Sequence, residues 1–531
     1  MDYEEQLQQE AWPPAYQPKP LFDLTKRDTA FAVCAIIVSI FTSVFGIFGG
    51  FALGYFLSAT FMLVLFAVYF AKDGKVRVFP AVCGLLALAN GAVFICTGNG
   101  SVRFFGGIIS ILLSLVCFDG FRNGGTKGNR QTLGVFYAAA SSVESIDVSV
   151  KSLFLSGNGG RKTLGKALIG FLCAVPVLFV VVPLLVSSDD AFQGMMRKIS
   201  DNTADTIIKV VFGVVLSVFA VSYGFSLKTG RTAKAKPGTF AGIENVYIIS
   251  FLSAISVCYL LYLFSQLAYF FSAFKGFLPD GEITYAQYAR KGFFEMCVIA
   301  VINLAIVFSA LLLAKKRDGK VCHGIKAVAT FIAVFTLIII ATAISKMVLY
   351  IDAYGMTVLR VTTSAFMLFL SVVFISVILR IYITKINIVK VALLTAGCIV
   401  LVLGVANVNA VCAVYNYESY QNGKLATVDV EAMYDLGDEG IPYLVKLAEG
   451  SDQALAERAE RYLAKAYVYD YFDNLRHMKF TVSDLEENKR YTGFQCFSIP
   501  RARAYECLYT VLEENPSFGE TCLSYTSALS Q

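Results

Sequence analysis

Eleven stretches of this chain are apolar over lengths that a water-soluble protein does not use, at 30–48, 51–71, 79–97, 104–118, 167–187, 207–226, 245–272, 293–314, 324–345, 359–383 and 390–414. A hydrocarbon core of roughly 30 Å takes about 20 apolar residues to cross as a helix. Because lipid offers the backbone no hydrogen-bond partners, a spanning segment must be a helix or a strand of a closed barrel, and barrel strands run to only about 10 residues. The expected fold class is therefore all-α, a polytopic helical membrane bundle with about 11 transmembrane helices and a C-terminal soluble helical domain. Composition agrees: 56% of the 531 residues are hydrophobic and only 16% charged, more apolar surface than a soluble chain of this size can hide. The run at 104–118 is the weakest of the set.

Charge assigns an orientation. Residues 1–414 carry 34 Lys and Arg against 20 acids, while 415–531 carry 11 against 19, so the formal net charge of +6 is a basic membrane region joined to an acidic tail. Counted loop by loop, 25 basic residues fall on the face that holds the N-terminus and 9 on the other. The positive-inside rule then places the N-terminus in the cytoplasm and, with an odd number of spans, the C-terminus outside. The expected localisation is a multi-pass protein of the cell membrane. The basic balance is spent on this asymmetry and gives no reason to expect nucleic acid as a partner.

Three regions follow: a disordered cytoplasmic tail over 1–29, holding Trp12, Pro13, Pro14, Pro18 and Pro20 and expected to remain uncleaved; the transmembrane helical domain over 30–414; and an extracytoplasmic helical tail domain over 415–531. The long inner loop 119–166 contains a stretch from Val135 to Leu155 that reads as an amphipathic helix on the cytoplasmic surface or a site for a cytosolic partner. In the tail, Asp429 is placed to cap a short helix ended by Gly437, and Pro442 to open a second ended by Gly450. A third starts near Asp452 with Leu455, Ala459, Tyr462, Leu463, Ala466 and Tyr467 on one face and Glu457 four residues before Arg461. Pro500 opens a further helix that stops before Pro516. Short helices with tight turns resemble the hairpins of helical repeat proteins, although no repeat period is visible. Eight of the 13 cysteines lie inside spans; Cys496, Cys507 and Cys522 are in the tail, where spacing selects no disulfide pair.

Several chemistries are excluded by what is missing. With only His323 and His477, no HExxH or multi-histidine metal site exists, and no GxxxxGK[ST] loop is present. No metal and no cofactor is expected. Midplane carboxylates and lysines, which ion-coupled transport generally needs, are nearly absent from the spans, which disfavours such transport without excluding it, since broken helices can bind ions through backbone carbonyls. The first outer loop, Phe45 to Gly50, lacks the acids of a polyprenyl-linked glycosyltransferase; Gly46, Gly50 and Gly54 instead allow the first two helices close approach.

The remaining polar residues gather on the expected outer face: Asp189 and Asp190, Arg290 and Glu295, Asp352 and Arg360, Asn407 and Asn409, with Tyr285, Tyr288, Lys291, Lys346, Tyr354 and Asn416 nearby. The segment Tyr285-Ala-Gln-Tyr288-Ala289-Arg290-Lys291-Gly292-Phe293-Phe294-Glu295 resembles the YAxYARxGFFE signature of an uncharacterised bacterial membrane family, the domain of unknown function 4173 and its sibling group 4153. Ser188 to Phe192 is similar to that family's AD-x-x-F element, Tyr354 to Arg360 to its YGLTxxR, Asn407 to Ala410 to its NPDA, Ile441 to Leu444 to its AVPAL and Ser498 to Ala504 to its SRARA. Val408, Tyr415 and Phe494 depart from proline, arginine and tryptophan there. The resemblance covers about 180–510 and implies a membrane fold with no known activity.

Glu295 paired with Arg290 or Arg360 would join the eighth and tenth helices, and these groups read either as interfacial anchors or as an outer vestibule in which the arginines hold an anionic ligand. The expected function is non-enzymatic sensing, scaffolding or ligand binding in the cell envelope, through the outer face and the tail. The alternative is a lipid or envelope-precursor transporter or a membrane-embedded enzyme. The expected partners are the bilayer itself, an anionic lipid or envelope precursor, or an extracytoplasmic protein.

Overall fold

The computed structural model describes residues 25–70, 78–120, 205–229, 242–275, 293–315, 321–383, 385–473, 475, 481–490 and 493–529, with single positions at 143, 146 and 181. Among these, ten helices are long and apolar enough to cross a membrane, and the chain is a multispan membrane protein. They are α1 (Lys26–Phe41, continued by a π-helical turn, Thr42–Ile47), α2 (Leu53–Phe70), α3 (Val78–Cys96), α4 (Gly100–Gly120), α5 (Asp205–Thr229), α6 (Asn245–Lys275), α7 (Phe293–Leu313), α8 (His323–Tyr354), α9 (Val358–Tyr382) and α10 (Ile388–Val405). The weak run at 104–118 is a full helix, α4. The run at 167–187, the 135–155 stretch and residues 1–24 of the expected tail lie outside the described residues; α1 already begins at Lys26.

The spans pack as two units. In the first, α1 to α5 enclose a core rich in stacked rings, including Phe31 on Tyr69 at 3.9 Å and Phe66 on Phe118 at 4.1 Å. In the second, α6 to α9 share a core around Phe335, Ile339, Met367 and Phe374. Helix α10 lies against α3, α4 and α9 and joins them. Where α1 meets α2, a Cβ on Gly54 would come within 1.8 Å of the Phe45 carbonyl and one on Gly46 within 2.8 Å of Ser58 Oγ, so these two glycines set the close approach. Gly50 has another use: it takes φ +89 in the turn between the helices.

Cross-bundle contacts fix which ends lie together. Asp28 at the start of α1 bonds to Lys228 at the end of α5, Lys390 at the start of α10 covers Phe79 at the start of α3, and Ile243 before α6 bridges Ala314 after α7. At the opposite end Ser43 donates to the Lys209 carbonyl, and Thr97 after α3 meets Asn407 after α10. Among the described residues, α4 thus ends at the Asp28 end and α5 begins at the other.

The sequence reading ran the last span unbroken to 414; the structure ends it at Val405. Asn407 adopts φ 54, a left-handed conformation that asparagine tolerates, and a new helix, α11 (Val408–Gln421), starts from it. Position 415, the expected domain boundary, falls inside α11. Beyond it come α12 (Val430–Tyr434), α13 (Ile441–Ala448), α14 (Gln453–Lys465, continued by a π turn, Ala466–Tyr471), α15 (Val482–Glu487), α16 (Ile499–Glu514) and α17 (Phe518–Leu529). Their starts follow local chemistry: Asp429 accepts from the Glu431 and Ala432 amides, Asp452 from those of Ala454 and Leu455, and Pro442 and Pro500 sit in first turns. Leu455, Ala459, Leu463 and Tyr467 face inward against Leu444, Leu508 and Leu512, and this core continues into Val93, Val102 and Cys412 at the bundle end. The exposed pair Glu457 and Arg461 forms at 2.6 Å. Cys496, Cys507 and Cys522 are free thiols.

Candidate functional site

The short α3–α4 turn, Thr97-Gly98-Asn99, is held by groups from both sides. Asn99 caps α4 by accepting from the Val102 amide at 2.8 Å, and Arg103, one turn further, donates back to the carbonyls of Thr97 (2.7 Å) and Phe94 (3.0 Å), satisfying the end of α3. The α10–α11 break supplies the next layer. Asn407 donates to the Cys96 carbonyl (3.0 Å) and accepts from Thr97 Oγ1 (3.1 Å); Asn409 accepts from Asn99 Nδ2 (2.7 Å) and donates to the Leu436 carbonyl (2.8 Å).

The third layer is an acid pair in the 3₁₀ turn Gly437–Glu439. Glu439 is buried and accepts from the Gly98 amide at 2.6 Å and from Thr97 Oγ1 at 3.3 Å. A Cβ on Gly98 would lie 2.9 Å from Glu439 Oε2, so the carboxylate needs a glycine there. Asp438 accepts from Tyr471 OH at 2.7 Å and from Arg501 Nε at 3.4 Å. Burial, with the adjacent Asp438 charge added, pushes the Glu439 carboxyl above the usual range against the opposing pull of the Gly98 amide; burial and Asp438 also hold the Tyr471 phenol well above its ordinary value. Helix α11 makes a second attachment, since Asn416 both accepts from the Met356 amide (2.7 Å) and donates to its carbonyl (2.8 Å), fixing the α8–α9 turn. A third lies beside α1, where the Leu53 amide donates to the Phe497 carbonyl and Cys496 Sγ to that of Gly49, both at 3.2 Å.

Next to Asp438 a cavity of about 370 Å³ opens in the tail, lined by Tyr434, Asp435, Asp438, Tyr469, Asp470, Tyr471, Arg490 and Arg501, with Gly437 and Ile441. Tyr434 OH donates to Asp470, and Arg490 to Asp473 and the Tyr469 carbonyl. Charges of both signs and three phenols therefore converge on a space large enough for a small molecule.

Of the residues singled out from sequence, Asn407 and Asn409 are part of this junction. Asp189, Asp190 and Arg290 lie outside the described residues. Glu295 is exposed at the start of α7, and Asp352 is exposed and accepts from Tyr415 OH at 3.3 Å. Arg360 turns back on its own helix start: it donates to the Tyr354 and Gly355 carbonyls and lies 4.1 Å over the Tyr350 ring. Among the described residues no ion pair joins Glu295 to Arg360, because the guanidinium satisfies the end of α8 instead. Lys346, expected beside a loop, is buried within α8. Sequence reasoning missed Thr97, Asn99, Arg103, Asp438, Glu439 and Tyr471. The usable signals were a lone arginine in an apolar run and an acid pair between two glycines. Arg501 stood inside the segment compared with SRARA.

A protein-family model described as a domain of unknown function, DUF4153, matches residues 56–447, a stretch that takes in the α3–α4 turn, α11 and the acid pair. Comparison with curated proteins and with solved structures found no match.

Proposed function

Because the chain belongs to the DUF4153 family of domains of unknown function, we propose from geometry that it is a cell-envelope binding protein rather than a catalyst: its tail holds a ligand or partner outside the membrane and conveys occupancy to the spans. The observation that carries this reading is the Glu439 carboxylate of the tail seated on the Gly98 amide of the bundle, one residue from the cavity at Asp438. A ligand that moves Asp438 or Tyr471 moves the adjacent Glu439 and with it the α3–α4 turn. Among the described residues, Lys26, Arg27, Lys228, Lys326, Arg380 and Lys390 lie at the Asp28 end of the spans, which supports an outer position for the tail. Arginines, carboxylates and phenols together fit a ligand with charge of both signs, such as a lipid headgroup or the peptide part of an envelope precursor.

Cavity variants test this. Tyr434→Phe combined with Arg490→Ala should lose at least tenfold of the ability to restore whichever envelope or lipid phenotype a deletion strain shows, whereas Arg461→Ala, at an exposed helix pair, should restore it fully. If the double variant folds and restores every phenotype as well as the unaltered protein, the binding role of this cavity is wrong. A second reading, a lipid or precursor transporter or membrane-embedded enzyme, is favoured by one observation, an apolar slot inside the first helical unit.

A further inference from the structure

One stretch of the tail runs against the composition of the rest. Residues 415–531 carry 19 acids against 11 Lys and Arg, yet from Asn488 to Tyr505 there are four basic residues, Lys489, Arg490, Arg501 and Arg503, and no acid. Between the two basic pairs lies Phe494-Gln495-Cys496-Phe497-Ser498-Ile499, in which Phe494, Phe497 and Ile499 are 52%, 48% and 41% exposed. No other Val, Leu, Ile, Met, Phe or Tyr side chain that the structure describes beyond α11 is left exposed. Exposed apolar side chains gathered at one place mark a surface that something else covers.

The position of this segment says what covers it. The Phe497 carbonyl accepts from the Leu53 amide at the start of α2, and Cys496 Sγ donates to the Gly49 carbonyl. The segment is therefore seated on the turn between two spans, at the level of the bilayer surface. That turn has exposed rings of its own, Phe48 and Phe51. A ladder of rings then leads from the tail down into the bundle: Phe494 lies 5.3 Å from Phe45, Phe45 4.8 Å from Phe41, and Phe41 5.3 Å from Phe61. Phe61 is exposed on α2, eight residues beyond Leu53 and so about 12 Å further along the span. The apolar surface of the tail is continuous with a surface that lies in lipid. Exposed aromatic rings flanked by basic side chains suit the boundary where acyl chains meet phosphates, and Arg503 is exposed one turn beyond Ile499.

We propose that Phe494, Phe497 and Ile499 form a wedge set into the lipid leaflet at the tail-bearing end of the spans, so that the tail binds the membrane surface directly. Arg490 and Arg501, which line the tail cavity, stand at the two ends of this wedge in the chain, and one wall of that cavity is thereby tied to the bilayer. The wedge does not depend on the cavity holding a ligand, nor on which face of the membrane the tail occupies.

The test uses full-length protein in nanodiscs, with Trp12→Phe to remove the single tryptophan of the chain and one tryptophan introduced as Phe494→Trp or Phe497→Trp. Glu457→Trp, on an exposed helix face of the tail, is the control. Phospholipid brominated just below its ester groups quenches tryptophan at the headgroup boundary, and acrylamide quenches tryptophan in water. At 494 and 497 the bromolipid is expected to lower emission about twofold or more and acrylamide to change it little, with the reverse at 457. An unchanged unfolding midpoint shows that each aromatic exchange keeps the fold, and the two positions are independent probes. The proposal is overturned if both quench like Glu457→Trp, which would put the segment in water, or if neither quencher reaches them, which would put a second copy or another protein over it.

Discussion

Replacing Asp28 by alanine is expected to cost about 3–5 kcal/mol. Its carboxylate is fully buried and serves four groups at once: Lys228 Nζ at 2.6 Å, Tyr69 OH at 2.7 Å, and the amide and hydroxyl of Thr25 at 2.9 and 2.7 Å. Thr25 and Asp28 form a reciprocal capping box, so the substitution also frays the start of α1. What remains is a lysine only one-third exposed, facing a phenol and no carboxylate, at the rim of an apolar bundle. Asp28→Asn keeps the shape and part of the bonding and should lose about half as much. The midpoint of thermal unfolding in detergent, with Lys228→Ala and the double variant completing a cycle, measures the coupling; additive losses would show that the pair does not hold α1 to α5.

Glu439→Leu should cost about 3 kcal/mol, since it strands the Gly98 amide in a buried junction, while the Thr97 hydroxyl keeps Asn407 as its acceptor. Glu439→Gln retains an acceptor and should cost only about 1 kcal/mol. The two also separate by pH. The folded carboxyl holds its proton more tightly than the unfolded one, because burial and Asp438 raise its pKa. Stability therefore gains as pH falls through the range just above the ordinary glutamate value, and the gain is lost again as pH rises through the folded pKa. Relative to Glu439→Gln, the unaltered protein should become more stable as pH falls from neutrality towards the ordinary glutamate range, read as unfolding midpoints across a pH series. A parallel shift of both proteins would remove Glu439 as the group that titrates.

Local signals were legible and distant pairings were not. Hydropathy located each described span because lipid demands some twenty apolar residues whatever the neighbours are. Asp429, Asp452, Pro442 and Pro500 could be placed because a cap depends on residues within a turn of it. The break at Asn407 escaped because apolar residues on both sides keep the average hydropathy high, and only the backbone shows that one left-handed asparagine interrupts the helix. Glu439 and Gly98 are 341 positions apart; nothing near either says that they meet, so an acid in an acidic tail read as solvated. Arg360 was expected to seek a carboxylate, but carbonyls at a helix end satisfy a guanidinium as well and lie five and six residues away.

Everything proposed for the tail depends on its being docked to the outer end of the spans, and Gly50→Cys tests that docking. A Cβ at position 50 would lie 3.8 Å from Cys496 Cβ and 3.3 Å from its Sγ, within the range of a disulfide, although φ +89 makes cysteine there cost about 1–2 kcal/mol. The account predicts that the variant oxidises unaided in intact cells, joining residues 446 positions apart; that an impermeant reductant opens the bond from outside; and that Cys496→Ser abolishes it. If both thiols remain free to alkylating reagents in membranes where the protein is folded, the tail is not seated on the α1–α2 turn, and the coupling through Glu439 falls with it.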